Sequence, residues 1–253
     1  MLISWKRIGR AALVGLGLVG VSAPRADAGL VLSYNNPGVQ ASTVAGVTTE
    51  TFDSYSTGTY AVNGYSTAIG SFTSPGIAVV AANLYGGAGG TGNYFAIGAE
   101  SGTTTATLAL KGAEGYFGFW WSAADSGNSL AFYSGDQLLG TFSAASALSS
   151  LSSAYNGNPN SKFSGNTGEK YAYLNFTGTN GTTFDRIVFT NAGTGTGFEA
   201  DNFSILAGST AVSGNVVSNG ITAASVPEPS SLAMVAVGGL IGGGTWLRRR
   251  RIA

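Results

Sequence analysis

Short runs of aromatic, aliphatic and β-branched residues recur between Thr48 and Leu206, each closed by Gly, Asn, Ser or Asp. Within several runs apolar and polar residues alternate, the two-residue period of a strand with one covered face. No long stretch of this region repeats at 3.6 residues with a charged outer side, so helices are not expected to build the body. The pattern predicts strands over Thr48–Tyr55, Gly76–Leu84, Asn93–Ala99, Thr103–Leu110, Gly115–Ser122, Leu130–Tyr133, Gln137–Phe142, Tyr171–Thr177, Phe184–Thr190 and Phe203–Leu206. Ser134-Gly135-Asp136 and Asn180-Gly181 are turn signals between neighbouring strands. Gly86–Gly92 and Tyr155–Glu169 read as loops, and Ser143–Ser152 as a short helix. The expected architecture is all-β: two packed antiparallel sheets around inward faces that include Phe119, Trp121, Leu130, Phe132, Leu174, Phe176, Ile187 and Phe189.

The two ends break this pattern. Met1–Ala28 has basic Lys6, Arg7 and Arg10, an apolar run from Ala11 to Val21, and the small-x-small sequence Ala26-Asp27-Ala28. This is the order of a secretory signal peptide, implying passage through the secretion machinery, cutting by signal peptidase and a mature chain beginning near Gly29. At the other end stand Val226-Pro227-Glu228-Pro229, an uncharged stretch Ser231–Leu247, and Arg248, Arg249, Arg250 and Arg251. The prolines hold the first part extended. The second, as a helix, just spans a thin bilayer core. The arginines stay on the cytoplasmic side of the inner membrane. The chain therefore divides into a signal peptide (1–28), a β-sandwich ectodomain (29–206), a small polar spacer (207–225) and a C-terminal sorting segment (226–253).

That tail resembles the PEP-CTERM sorting signal of bacterial proteins handled by an exosortase. The resemblance implies a Gram-negative export route, reading of the Pro-Glu-Pro element by a membrane-embedded cysteine transpeptidase-like enzyme, and release or re-attachment of the ectodomain at the cell surface. A plain tail anchor is the rival reading, but it has no need of Pro-Glu-Pro at the membrane boundary. The segments ETFD, GYFGFWWSA, LAFYSGDQLLGTF, YAYLNF and TTFDRIVFTNAGTGTGFEADNFSI are similar to those of a family of exosortase-dependent surface proteins, and the family supplies no catalytic residues. The ending FEADNFSI also resembles the last strand of galactose-binding-like jelly rolls, which implies a jelly-roll-like sandwich.

Composition narrows the chemistry. The chain has no Cys and no His, which removes disulfides, Cys–zinc sites, Ser-His-Asp triads and HExxH metalloprotease chemistry. Its net charge of zero hides an asymmetry. Between residues 29 and 225 only Lys111, Lys162, Lys170 and Arg186 are basic, against ten acidic residues, leaving this part six charges negative. Such a surface repels nucleic acid and can hold a divalent cation.

Three sets of side chains are candidates. Glu50 and Asp53 at the first predicted strand, with Glu199 and Asp201 at the entry to the last, form a structural calcium site if those strands are neighbours; otherwise they are surface charges and turn residues. Trp120 and Trp121 offer a glycan-stacking platform, weighed against core packing. Asp125, Asp136 and Glu114 flank one hairpin and could supply the carboxylate pair of a polysaccharide hydrolase, although turn formation explains the two aspartates. The expected function is that of a non-enzymatic, exported surface or matrix protein, with exopolysaccharide among its expected partners. The alternatives are a polysaccharide-active hydrolase and a matrix protein that binds no glycan.

Overall fold

The computed structural model describes residues 29–61, 65–74, 76–208, 214–216 and 222–223, so the expected signal peptide and sorting tail lie outside the described residues. Thirteen strands carry the described body: β1 (Gly29–Tyr34), β2 (Thr48–Glu50), β3 (Gly58–Ala61), β4 (Tyr65–Ser66), β5 (Gly70–Ser74), β6 (Gly76–Ala81), β7 (Asn93–Gly98), β8 (Thr105–Ala124), β9 (Ser129–Ser134), β10 (Gln137–Ser143), β11 (Lys170–Thr179), β12 (Phe184–Thr190) and β13 (Gly197–Ala207). The pairings between these strands are antiparallel. Among the described residues no helix is long and apolar enough to cross a membrane.

The 20-residue β8 joins two sheets. In its first half Ala106 and Leu108 face inward, at even positions. After the exposed Lys111-Gly112-Ala113 the inward residues are Phe117, Phe119 and Trp121, at odd positions. A strand that changes the parity of its buried face has bent or bulged, because side chains otherwise alternate strictly. The register shows the consequence. The first half of β8 pairs β5 and β12, with Leu108 opposite both Phe72 and Ile187. The second half pairs β11 and β13, with Phe119 opposite Leu174 and Trp120 opposite Asp201. One sheet runs β4-β5-β8-β12-β9-β10. The other runs β1-β11-β8-β13-β7-β6-β3, with β2 extending the β7 edge of β13.

The expected sandwich follows from this division. Phe189 of the first sheet packs 5.3 Å from Phe95 and 5.4 Å from Phe203 of the second, measured between ring centroids. Phe132 and Phe176 meet across the layers at 4.7 Å. All eight residues expected in the core are buried there. The second sheet is also covered on its outer side. Tyr116, Trp120, Tyr171 and Tyr173 point outward yet are closed over by the segment 35–47 and the glycine loop 86–92.

The element boundaries correct the sequence reading in several places. Thr103–Leu110 and Gly115–Ser122 are one strand, not two. The strand expected over Thr48–Tyr55 stops at Glu50, because Phe52 turns back with φ of 60° and its amide donates to the Glu50 carboxylate at 2.7 Å. The last strand starts at Gly197 rather than Phe203. A bulge at Asn202, with φ of 52°, shifts the alternation, so Phe198 and Ala200 before it and Phe203 and Ile205 after it all reach the core. Strands β1, β3, β4 and β5 fall outside the strands expected from the sequence, and β1 caps the sheet by pairing with β11. Only Ala144–Ala147 of the expected short helix is helical. Within the expected spacer, Asn215–Val216 pairs with β1 and Thr222–Ala223 with β10.

Candidate functional site

The neighbour relation behind the expected calcium site is present, since Glu50 stands opposite Phe203 on β13. The four carboxylates nevertheless do not form one site. Glu50 accepts the Phe52 amide at 2.7 Å with one oxygen and the Ala68 amide at 2.9 Å with the other. Asp53 accepts the Asn93 amide at 2.7 Å. Asp201 accepts the Ala88 and Asn202 amides, each at 2.7 Å. These three pin the glycine loop and the β2–β5 connection to the sheet. A carboxylate whose lone pairs are taken by backbone N–H donors is a clamp in the loop scaffold. Burial pushes the Asp201 carboxyl up to about 7, partly offset by those two donors.

Glu199 goes elsewhere. It lies on the outer face of β13, opposite Ser122 of β8 and Ala96 of β7, and is 5 % exposed. Its carboxylate accepts a hydrogen bond from its own backbone. Burial, reinforced by the charges of Glu100, Asp125 and Glu169, pushes its pKa up to about 9. Together these four acids line a cleft of about 300 Å³ at one end of the sheet, with Tyr85 at its rim, 45 % exposed. None of the residues lining it is basic.

Each wall of the cleft comes from a different segment. Glu100 sits in the turn after β7, Asp125 directly after β8, Glu169 directly before β11, and Glu199 near the start of β13. Desolvation raises the pKa of Asp125 and Glu169 as well. Hydrogen bonds from Thr196 and the Gly197 backbone offset this at Asp125, and one from Asn166 does so at Glu169. One oxygen of Glu100 is buried with no hydrogen-bond partner. Gly197 gives Glu199 its place, since a Cβ there would lie 1.7 Å from the carboxylate oxygen. Sequence reasoning found Glu199 and singled out Asp125, but missed Glu100 and Glu169. Both are single acidic residues in loops, and only the fold brings them to one point.

The other candidates take different places. Trp120 is 1 % exposed and packs on Tyr171 under Ala88, whereas Trp121 is 0 % exposed and stacks on Phe198 at 4.9 Å in the core. Neither indole presents a face to a sugar in this fold. Asp125 and Asp136 stand at opposite ends of β9, so the hairpin does not join them. Glu114 is buried at the bend of β8, opposite Phe184. Among the described residues no three acidic side chains already stand at ligating distance from a common point.

Residues 225–251 match the family model of the PEP-CTERM protein-sorting motif. No curated protein and no solved structure matches the chain. The matched segment contains Val226-Pro227-Glu228-Pro229, the apolar run and the four arginines in the order expected from the sequence. The tail is thus a PEP-CTERM sorting signal, which implies that the chain is exported, membrane-anchored before processing, and a substrate of an exosortase.

Proposed function

We propose that the chain is a non-enzymatic surface or extracellular-matrix protein, delivered by exosortase processing, that binds or builds matrix in contact with exopolysaccharide. The observation that carries this reading is the tail match at residues 225–251. A signal peptide at residues 1–28 takes the precursor across the inner membrane. A transmembrane helix at about residues 231–247 then holds it there until Pro227-Glu228-Pro229 is read. The double-layered sandwich, with its second sheet covered on both faces, supports a durable structural body.

Among the described residues the cleft is where a carboxylate-pair hydrolase finds support, since Glu199 and Asp125 both line it and Glu199 is the more deeply buried. Depth argues against it. Glu199 is nearly closed to solvent, and a glycosidic oxygen inside a polymer cannot be brought to it. Incubating the purified chain with extracellular polysaccharide and assaying reducing ends separates the two. No new ends are expected. Their appearance, and their loss in Glu199→Gln, would establish the hydrolase instead.

A further inference from the structure

We infer that residues 207–225 form an exchangeable arm, which pairs with the β1 and β10 edges of a second copy of this chain and so links copies into matrix. The inference rests on the matrix-building reading above. The two sheets end side by side, one at β1 and the other at β10. The inner side of β1 is taken by β11, and that of β10 by β9. The outer side of each meets the arm over two residues. Ser33 and Tyr34 stand opposite Val216 and Asn215, and Gly140 and Thr141 opposite Ala223 and Thr222. β1 has six residues and β10 seven, so among the described residues most of both outer edges has no strand beside it.

An open edge is a template for a further strand, and proteins that avoid association blunt it with charge or proline. Neither β1 (GLVLSY) nor β10 (QLLGTFS) carries a charge or a proline. Leu138, 37 % exposed, lies on the uncovered part of β10. The arm is equally unguarded. It has no charged residue and no proline, and Val212, Val216, Val217, Ile221 and Thr222 are β-branched, as strands favour. Its described pieces, Asn215–Val216 and Thr222–Ala223, are antiparallel strands on these same edges. An arm that pairs with its own edges makes the same backbone hydrogen bonds with the edges of another copy. Exchange therefore loses no pairing, and local concentration decides it. One chain supplies both halves of the contact, which makes a second copy the occupant. Each copy gives one arm and accepts one, a head-to-tail contact that builds rings or open chains. Processing at Val226-Pro227-Glu228-Pro229 frees the outer end of the arm from the membrane.

The chain has no cysteine, so two introduced thiols report the pairing cleanly. Thr141→Cys and Thr222→Cys place them on residues opposite each other in the ladder. Each variant is extracted in its mature form from the cell surface. The two are mixed under reducing conditions at high concentration and then oxidised. Several-fold more covalent dimer is expected than from Thr222→Cys mixed with Thr57→Cys, an exposed position beside β3 at the far edge. The double variant Thr141→Cys/Thr222→Cys should give a ladder of covalent multimers. Thr141→Lys sets a charge on the exposed edge, and should abolish concentration-dependent association in sedimentation while keeping the circular dichroism. Dimer at the control level from the mixture, with the double variant closing only within single chains, would overturn exchange, as would association undiminished by Thr141→Lys. Failure of the matrix reading itself is read separately, as absence of the unaltered protein from the extracted matrix fraction.

Discussion

Phe189→Ala should lower the unfolding free energy by roughly 3–5 kcal/mol, the range for deleting a large buried aromatic side chain. Phe189 belongs to the first sheet, but its ring lies within 5.5 Å of Phe95, Phe198 and Phe203 of the second. It is therefore a joint between layers, and neither sheet can collapse alone to fill the space it leaves. The aromatic pairs add to the loss of buried area. Domains of this kind are stable by only about 5–15 kcal/mol, so the change removes a large part of the total. Chemical denaturation of the purified chain, followed by tryptophan fluorescence, measures it. Leu138→Ala is the control. That side chain is 37 % exposed on β10, and its loss should stay within about 0.5 kcal/mol. Equal effects at the two positions would mean that the two sheets do not share one core.

Glu228→Ala should leave the precursor in the inner membrane. Pro227 and Pro229 flank residue 228, and each proline restricts its own φ and disfavours the helical region for the residue before it, so the sequence favours an extended presentation of Glu228 to the enzyme. It is also the only charged residue between Asp201 and Arg248. An enzyme site built to hydrogen-bond a polar group rejects a substrate lacking it by on the order of 10⁴-fold, because its own buried groups are left unpaired. Maturation should therefore stop within a cell generation, with Val226, Pro227 and Pro229 unchanged. Pulse-chase labelling with fractionation of the envelope reads this out. Normal maturation of the variant would show that the prolines alone are recognised.

How far the sequence reaches can be judged from particular elements. The all-β class, the β9–β10 hairpin and the eight core residues are local consequences of alternation, and local pattern is what a sequence displays. The sharing of β8 between sheets was hidden by Lys111-Gly112-Ala113-Glu114, which separates the two strands expected from the sequence. The change of parity across it, from Ala106 and Leu108 to Phe117 and Phe119, was the available signal. The start of β13 was hidden differently. Glu199 and Asp201 look like loop residues, because nothing in the sequence tells that the outer face of that sheet is covered too. The same fact misdirected Trp120, since an outward-facing indole is a platform only where the outside is solvent.

The candidate site divides along the same line. Glu50, Asp53 and Asp201 were grouped with Glu199 by strand adjacency, which holds. The direction of each side chain, and the amides that reach it first, depend on loops whose paths the sequence does not display. Glu100 and Glu169 belong to the cleft through contacts between segments far apart in the chain. The tail is the opposite case. Its recognition depends on the linear order of residues, so the sequence alone carries it, and the family match over residues 225–251 rests on that order.

The most direct test of the account is the intact mass of the protein extracted from the cell surface. It should correspond to a chain beginning near Gly29 and ending within or just before Val226-Pro227-Glu228-Pro229, with any added mass sitting at that new end. A mature species that still carries Trp246 and Arg248 to Arg251 would contradict exosortase processing and make the tail a simple membrane anchor.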